Sequence, residues 1–537
     1  MPLSLIFHYY LEVFLSMPIA SLGLFASSPL DRAANDVRFA TVKDLFPSLS
    51  VSPLRKVLLL SCVGVFALST LGIWFGANQI DAAPSTADSG RKPATVSSDQ
   101  GKNNRVSAAT PKKSYAIDFK EFRLRNGLRV LLAEDHSAPT YSICVTYNVG
   151  SRDEHPGRTG FAHLFEHMQF QGSENVGKGE HFILIQNNGG SANGTTNMNR
   201  TNYFETLPAN QLELGIFLEA DRMRAPAITQ ANFDNQRLTV QEERRQSYDN
   251  RPYGKTYEAI IGLAYDNFGY KHSTIGSMED LNAATVADAE AFFKTYYAPN
   301  NAVLALVGDF KTDVALNLIK KYFEKIPAQT APSAPDMSEP EQTAERRKVI
   351  DDSFAQAPKL DIVYKIPPGN TPDWFALDFL GHVLSDGVSS RLYQKLVKEK
   401  EVALSVYADA NEHRGPSLFW FSVLARPNAD LGEVERLVYE EIARVQSELV
   451  SQAEIEKVQM QLQRQRAQQL YSTRSRANAL GHFAVYYNQP ELINSIWGRY
   501  ERVTPTDLQR VARTYFKEEH RTVVTTLPKT AAAEKSK

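Results

Sequence analysis

The chain has little cysteine for its length: Cys62 and Cys144 are the only two among its 537 residues. Two cysteines cannot build a disulfide framework, so a small disulfide-stabilised fold is excluded. A surplus of positive charge is absent too, because 59 Lys and Arg residues face 61 Asp and Glu residues, for a net charge of −2. This balance, without long basic runs, is not typical of a nucleic-acid-binding protein. We therefore expect no nucleic-acid partner.

Long apolar runs are also scarce, and the best candidate for a membrane span lies between Val57 and Ala77. It is uncharged and close to the roughly 20 residues that a membrane helix needs. Arg55 and Lys56 precede it, and the positive-inside tendency then places the rest of the chain outside the cytoplasm. Residues 57–77 are interpreted either as a transmembrane anchor or as a cleaved signal segment. The protein is accordingly predicted to be periplasmic, either anchored in the inner membrane or secreted after cleavage.

The segments on either side of this run differ in composition. Residues 1–56 are interpreted as a leader or cytoplasmic segment, and a compact basic region before the run favours a translation start near Val51. Residues 78–113 are rich in Ser, Ala, Thr, Asp and Lys and poor in aromatics. That composition is typical of a flexible linker, so ordered structure is predicted to begin near Tyr115.

Two histidines and a glutamate occur at short spacing beyond the linker. His163, Glu166 and His167 stand at positions i, i+3 and i+4, so a helix presents them on one face. The apolar residues of the segment fall on the opposite face: Phe161, Leu164, Phe165 and Met168. Two neutral imidazoles one turn apart can bind one zinc ion, and Glu166 can serve as general base toward a zinc-bound water. The alternative is a solvated polar face that carries two histidines by accident.

A third ligand would strengthen the metal interpretation, because catalytic zinc sites commonly hold the ion through three protein side chains. The segment from Phe233 to Ser247 is predicted to be helical, with Glu243 on the same face as Val240 and Ser247. Glu243 is therefore the candidate ligand. Its Glu-Glu-Arg-Arg context would otherwise indicate an ordinary solvated helix face.

These residues resemble the pitrilysin-like (M16, inverzincin) zinc metallopeptidases, including two-domain bacterial members and the subunits of mitochondrial processing peptidase. The family carries its third ligand at the separation that Glu243 has from His167, which favours Glu243 over Glu242. The resemblance implies one Zn²⁺ per chain, held by His163, His167 and Glu243, with Glu166 as the catalytic base. Many members have an acidic residue seven positions before the third ligand, where this chain has a glutamine, Gln236.

A glycine-rich segment from Gly189 to Thr196 resembles the family's Gly-Gly-x-x-Asn-Ala-x-Thr strand, with Gly194 in place of the usual alanine. In the family, the substrate lies beside this strand as an added strand. The resemblance therefore implies that Asn193, Gly194 and Thr195 line the backbone of a peptide substrate. Without the neighbouring metal motif, the segment would be interpreted as an ordinary glycine-rich hairpin.

The two halves of the chain show weak internal similarity. A Phe-Lys-Thr-Tyr-Tyr segment ending at Tyr297, followed by a strand, is echoed by Ala-Arg-Thr-Tyr-Phe ending at Phe516. This predicts an α+β protein whose two homologous domains, each a sheet packed with helices, form half of a clamshell. The predicted boundaries are 114–325 for the N-terminal zinc-binding peptidase domain, 326–347 for a proline-rich interdomain linker, 348–530 for the C-terminal domain without a zinc site, and 531–537 for a tail.

The second half lacks an H-x-x-E-H motif. Its segment from Gly387 to Tyr393 resembles a family segment that leads to a substrate-binding arginine and then a tyrosine. Val397 and Leu404 occupy those two positions, and neither side chain can donate a hydrogen bond. The resemblance therefore implies a heterodimer, in which a homologous subunit without zinc supplies the arginine and the tyrosine.

Together these patterns predict a zinc-dependent endopeptidase that hydrolyses short or unfolded peptides and forms the catalytic subunit of a heterodimer. Two alternatives stay open. The first is a non-catalytic assembly or scaffold subunit, and the second is a peptidase that processes one dedicated precursor. The quartet His163, Glu166, His167 and Glu243 argues against the scaffold, since a scaffold has no physical need for it.

Overall fold

The computed structural model describes residues 116–529. The predicted leader (1–56), anchor or signal segment (57–77), linker (78–113) and tail (531–537) lie outside the described residues, as does Cys62. In the part of the chain that is described, no helix has both the length and the apolar character needed to cross a bilayer.

The N-terminal half of the described chain builds a six-stranded sheet in the order β1-β2-β6-β3-β5-β4. Only β2 and β6 pair in parallel, and the other neighbours are antiparallel. The strands are β1 (Lys120–Arg123), β2 (Arg129–Glu134), β3 (Thr140–Tyr147), β4 (Ser191–Thr196), β5 (Thr201–Pro208) and β6 (Ala302–Gly308). Strand β4 therefore forms one edge of the sheet.

The C-terminal half builds a five-stranded sheet in the order β7-β11-β8-β10-β9. Its strands are β7 (Arg346–Asp352), β8 (Lys359–Ile366), β9 (Ala403–Ala410), β10 (Ser417–Ala425) and β11 (Arg521–Pro528). The β7 and β11 pair is parallel and the rest are antiparallel. This order repeats that of the first sheet without β1, which confirms the predicted α+β class with two sheet-containing domains.

Helices surround both sheets. Those of the first half are α1 (Phe161–Met168), α2 (Glu180–Asn187), α3 (Leu212–Arg224), α4 (Gln230–Arg244), α5 (Gly254–Ala264), α6 (Met278–Ala283), α7 (Val286–Tyr296) and α8 (Thr312–Phe323). Those of the second half are α9 (Pro372–Ser385), α10 (Leu431–Ser447), α11 (Gln452–Gln469), α12 (Thr473–Tyr487), α13 (Leu492–Ser495), α14 (Trp497–Glu501) and α15 (Pro505–Tyr515).

Strand β3 shows why the first sheet is buried on both faces. Its alternate residues Ile143 and Val145 join the main core of the first half, together with residues of α1, α3, α7 and α8. Cys144, which points the other way, packs in a separate cluster against α12 of the second half. Because side chains alternate along a strand, one strand serves both cores. The prediction that Cys144 is a small core residue is confirmed, since it is buried and free.

The two halves each place one helix on the other's sheet. Helix α12 covers the outer face of the first sheet through Ala477 and Leu480. In return, α5 covers the outer face of the second sheet, where Ile260 packs with Val363 and Val524. Each sheet would otherwise expose an apolar face to water, which is unfavourable in proportion to its area. The described residues 116–529 all belong to one compact unit.

The start of β7 differs from the predicted interdomain linker, 326–347. The strand begins at Arg346, inside that range. It pairs in parallel with β11, where Arg346 lies opposite Thr522 and Arg347 lies opposite Val523. The residues of β7 are mostly charged and exposed, because the strand lies at the sheet edge. The sequence therefore shows no apolar pattern that would predict this strand, which is defined by its backbone pairing with β11.

Candidate metal centre

Helix α1 begins at a glycine that no other residue could replace without strain. Gly160 has a φ of 84°, in the left-handed region that side chains disfavour. A Cβ atom placed there would lie 2.5 Å from the carbonyl oxygen of Ile275. The chain can therefore turn sharply into the helix while the neighbouring loop stays in contact.

The first turn of α1 is capped by a residue distant from the usual N-cap position. Glu154 accepts hydrogen bonds from the N–H of Gly160 at 2.8 Å and from the N–H of Ala162 at 2.7 Å. Burial raises the pKa of Glu154 well above its ordinary value, and the two hydrogen bonds oppose that effect. Sequence reasoning missed Glu154, because a loop separates it from the helix that it stabilises.

The apolar face of α1 is anchored in the first core, as predicted. Its members are all buried: Phe161, Leu164, Phe165 and Met168. Phe165 packs against the ring of Tyr297, with 4.5 Å between centroids. The opposite face of the same two turns then carries His163, Glu166 and His167 toward α4 and β4.

The structure brings the three predicted ligands together. Glu243, in the last turn of α4, places Oε2 3.5 Å from Nε2 of His167 and 3.8 Å from Nε2 of His163. One ligand atom from each residue lies within 4.8 Å of the other two. Ligand atoms that share an ion at about 2 Å stand about 3 to 4 Å apart. The donor set and its spacing therefore fit a zinc ion.

Burial sets the charge state of the two histidines. It lowers the pKa of His163 to about 3, with the neighbouring His167 as the smaller cause. It also lowers the pKa of His167, against the opposing effects of the Glu243 carboxylate and of a hydrogen bond with Gln236. Both imidazoles are thus neutral at neutral pH, as metal coordination requires. Gln236, which the family resemblance compares with an acidic residue, thus lies beside the candidate ligand His167.

Glu166 lies beside this cluster with its carboxylate held in place. Its side chain is buried, with 7% of the residue exposed, and burial raises its pKa to about 7. The hydroxyl of Thr196, on β4, donates to Oε2 at 2.6 Å. Sequence reasoning did not assign Thr196 a role, although it is the last residue of the glycine-rich segment that resembles the family's strand.

The structure separates the three predicted substrate-binding residues onto two faces of β4. Gly194 lies next to Glu166, and a Cβ there would stand 3.0 Å from Oε1 of that residue. Thr195 points the other way, where its hydroxyl donates to Asn202 at 2.6 Å, and Asn193 is exposed. The free edge of β4 remains available for strand pairing. Substrate contact by these residues stays a prediction.

The described residues of the second half hold no comparable cluster. Among residues 116–529, His163, His167 and Glu243 are the one group of three or more such side chains close enough to hold a metal ion. Val397 lies in a π-helical segment (Tyr393–Glu399) and packs against the second core. Leu404 is 48% exposed on β9.

Two family models match consecutive parts of the chain. The model described as "Insulinase (Peptidase family M16)" matches residues 129–277, and the model described as "Peptidase M16 inactive domain" matches residues 283–462. The first match contains all of the candidate site residues, and the second begins after them. The division therefore agrees with the distribution of metal-ligating side chains in the structure.

Relatives with names or solved structures support the same assignment. The chain is 29% identical over 424 residues to zinc protease PqqE of Helicobacter pylori, covering 78% of this chain and 95% of that protein. A protease from Helicobacter pylori of known crystal structure superposes with a TM-score of 0.74 at 28% identity, covering 77% of this chain and 100% of that one. The periplasmic protease PqqL from Escherichia coli has the same fold, with a TM-score of 0.64 at 19% identity over 80% of this chain and 49% of that one. The predicted family is therefore confirmed: the chain belongs to the M16 peptidase family, as does the zinc protease PqqE.

Proposed function

We propose that this chain is a zinc-dependent endopeptidase that acts on short or unfolded peptides. The observation that carries the proposal is the convergence of His163, His167 and Glu243, whose ligand atoms lie within 4.8 Å of one another. Glu166 stands in the same small volume with a fixed carboxylate. A scaffold would gain no stability from holding two neutral histidines and two carboxylates together in a half-buried site.

The three ligands would hold one zinc ion through two imidazole nitrogens and one carboxylate oxygen. When bound, zinc acts as a Lewis acid, which polarises a peptide carbonyl and makes water easier to deprotonate. Helix α1 fixes both histidines on one rigid turn, and α4 brings Glu243 to them from the side. With three protein side chains as ligands, a bound zinc ion would still be able to take a water molecule or the substrate as a further ligand.

Glu166 is proposed to act as the general base and later as the proton donor. Its carboxylate takes a proton from the attacking water and returns it to the nitrogen of the departing amine. The hydrogen bond from Thr196 holds Oε2 in one orientation and leaves Oε1 on the side of Gly194. Because Gly194 has no side chain, a peptide on β4 can approach that oxygen closely.

Substrate binding is proposed to use the free edge of β4. An extended peptide can pair there through main-chain hydrogen bonds, which places few demands on its sequence. Strand pairing requires the peptide to be extended, so folded proteins are excluded as substrates at this edge. Asn193, Gly194 and Thr195 would then line the backbone of the bound segment.

A homologous partner subunit without zinc is proposed to complete the site. Val397 and Leu404 cannot donate hydrogen bonds to a peptide carbonyl. Leu404 is also exposed, and it lies on β9, the edge strand of the second sheet. The match to only 49% of the PqqL chain supports the idea that this chain supplies half of a larger assembly. PqqL is a periplasmic protease, which supports the proposed periplasmic location of this chain.

The test uses the purified full chain, with metal analysis and cleavage of an unstructured peptide as separate readouts. We expect about one equivalent of zinc in the wild type and in Glu166→Gln. The substitution should lower the cleavage rate by about 100-fold or more, because it removes the general base and keeps the ligands. A chain that takes up no zinc from metal-replete buffer would refute the metal centre.

The partner is tested by adding a homologous subunit that lacks the zinc ligands. We expect the rate of peptide cleavage to rise by at least about tenfold when both subunits are present, since an added donor to a developing oxyanion contributes that much or more. Full activity of the isolated chain would refute the heterodimer. Zinc binding without cleavage under either condition would favour the scaffold alternative.

A further inference from the structure

Glu243 reaches the candidate metal centre from a different helix than the two histidines. His163 and His167 lie on α1, whereas Glu243 lies in the last turn of α4. Its side chain is 42% exposed, and its carboxylate contacts the two histidines themselves. The position of this carboxylate relative to the histidines therefore depends on how the end of α4 is held against α1.

Arg244, the last residue of α4, ties this end of the helix to the rest of the domain. Its guanidinium forms a bidentate pair with Glu258 on α5: Nη1 donates to Oε1 at 2.7 Å, and Nη2 donates to Oε2 at 3.0 Å. Nη1 also donates to the carbonyl oxygen of Gly276. Arg244 is buried, and a bidentate pair fixes the orientation of both side chains. Arg244 therefore anchors the turn that carries Glu243.

The acceptor on α5 is itself fixed in place. Residues Arg245–Asp249 form a π-helical turn that packs on the first residue of α5, since a Cβ atom on Gly254 would lie 2.1 Å from the carbonyl oxygen of Tyr248. The carboxylate of Glu258, one turn further along α5, also accepts a hydrogen bond from the hydroxyl of Ser273. The end of α4 and the start of α5 thus form one tightly packed corner.

The other acceptor, the carbonyl group of Gly276, lies against the start of α1. Gly276 has a φ of 75°, and a Cβ atom on it would lie 2.3 Å from the carbonyl oxygen of Thr159 and 2.4 Å from the nitrogen of Gly160. The N–H of Ser277 donates to the hydroxyl of Thr159 at 3.0 Å. Gly160 is the N-cap of α1. Arg244 therefore connects the end of α4 to the beginning of the helix that carries both histidines.

We propose that Arg244 is a positioning residue of the metal centre, which holds Glu243 at the correct distance from the two histidines by joining α4 to α5 and to the start of α1. The inference rests on the proposed zinc site. The positive charge of Arg244 would by itself oppose the binding of a cation. Its contribution is geometric, because a set of ligands that is already ordered loses less conformational entropy when it binds.

Position and charge predict opposite results for two substitutions. Arg244→Gln removes a positive charge near the metal centre, and Glu258→Gln removes a negative one. If charge alone mattered, the first substitution would tighten zinc binding and the second would weaken it. If the pair positions Glu243, both substitutions weaken zinc binding, because each breaks the same bidentate contact.

The test measures the zinc affinity of the purified full chain by competition with a chelator. We expect Arg244→Gln and Glu258→Gln each to weaken zinc binding by about 10- to 100-fold, which is the range for the loss of a residue that orients metal ligands. Arg244→Lys keeps the charge but cannot form the bidentate pair, so it should weaken zinc binding by a smaller factor.

Arg245→Gln is the matched control. Arg245 is the next residue along the chain, carries the same charge and is exposed. It pairs with Glu242 at 3.1 Å, and Glu242 is not a candidate ligand. The control therefore removes one positive charge from the same region without changing the contact between α4, α5 and α1. We expect it to leave the zinc affinity unchanged.

A second measurement separates positioning from stability. Breaking a largely buried ion pair lowers the stability of the metal-free protein in either case, and urea unfolding measures that loss. A merely structural Arg244 would leave the zinc affinity of the folded variant as in the wild type. Circular dichroism identifies the conditions under which each variant is folded, and the affinities are compared there. If Arg244→Gln does not fold, Glu258→Gln and Arg244→Lys decide.

The outcomes are distinct for the positioning role and for the zinc site. Unchanged zinc affinity in the folded Arg244→Gln or Glu258→Gln variant, tighter binding by Arg244→Gln, or an equal loss in Arg245→Gln would overturn the positioning role and leave the zinc site intact. A wild-type chain that takes up no zinc would refute the zinc site and this inference together.

Discussion

The helices α1 and α9 occupy equivalent places in the two halves, and the polar residues that they carry differ. Each follows an antiparallel inner strand of its sheet, β3 or β8, and precedes the hairpin that ends the sheet. Helix α1 buries its apolar face and keeps His163 and His167 partly buried beside a carboxylate of α4. Helix α9 is buried to a similar extent, with Phe375 and Phe379 among its core residues, but its histidine, His382, pairs with a carboxylate close by in the chain. Helices in the same place in the two domains therefore differ in role: α1 carries candidate metal ligands, and α9 does not.

The edge strands that follow these helices differ in the same way. On β4, the small residues Gly194 and Thr196 leave space beside Glu166. On β9, the corresponding edge carries the large and exposed Leu404 and Tyr407. A short side chain allows another backbone to approach the strand. A large apolar side chain at an exposed edge is instead typical of a surface that binds another protein. Side-chain size at the edge, rather than topology, therefore separates the two roles.

The largest expected effect comes from removing a candidate ligand from α1, compared with removing a histidine from α9. His167→Ala should reduce bound zinc from about one equivalent to a small fraction, because two ligands cannot hold the ion as three do. His382→Ala, on α9, should leave the zinc content unchanged, since His382 pairs with Asp386 instead. Metal analysis of the purified variants checks both. Loss of zinc in His382→Ala would break the comparison.

The caps of the two helices provide the second test. Glu154→Ala leaves two buried N–H groups of α1 without acceptors and should lower the free energy of unfolding by about 4 kcal/mol. On α9 the cap is the local residue Thr371, whose hydroxyl accepts from the N–H of Trp374 at 3.3 Å. Thr371→Ala should cost about 1 kcal/mol. Urea unfolding measures both, and equal losses would contradict a special role for Glu154.

The buried carboxylate of α9 predicts a pH dependence of stability. Burial raises the pKa of Asp378 from 3.8 to about 6. Below pH 3.8 the group is protonated in both the folded and unfolded states, so its contribution is fully present. As pH rises toward 6 the unfolded chain loses the proton first, and the folded state loses about 3 kcal/mol of relative stability.

Asp378→Asn removes this dependence, because an amide does not ionise yet can still accept from Tyr500. The variant should therefore gain stability over the wild type between about pH 4 and pH 7 by up to about 3 kcal/mol. Urea titrations of both proteins at the two pH values measure the gain. A difference that stays constant with pH would show that Asp378 ionises normally in the folded protein.

The smallest expected effect concerns the glycine that distinguishes β4. Gly194→Ala introduces the residue that the family usually carries, but its Cβ would lie 3.0 Å from Glu166 and 3.2 Å from Phe170. The carboxylate must move slightly, so kcat should fall by less than about tenfold while bound zinc stays the same. Gly262→Ala is the control, since its nearest neighbour would be 3.8 Å away. An unchanged kcat would show that the carboxylate adapts freely.

Local periodicity allowed the fold and the nearest part of the site to be predicted from the sequence. The spacing of His163, Glu166 and His167 depends on helix geometry alone, and the structure places all three as that geometry requires. The two-domain α+β organisation was predicted from an internal repeat and is confirmed by the matching sheet orders. The placement of Glu243 followed from a family resemblance, because no local rule joins it to α1.

Contacts between distant segments were not predictable in this way. Glu154 reaches α1 across a loop, and Thr196 reaches Glu166 from a strand, so neither has a spacing that signals its role. The start of β7 at Arg346 was missed because an edge strand needs no apolar pattern.

The sequence by itself determined the turn of helix that carries two histidines and a glutamate on one face, because residues three and four apart on a helix are neighbours. The internal repeat also predicted two homologous domains, each a sheet packed with helices. Tertiary structure decided the rest. The approach of α4 to α1 and the hydroxyl beside Glu166 both depend on packing between segments far apart in the chain, and no local periodicity encodes such packing.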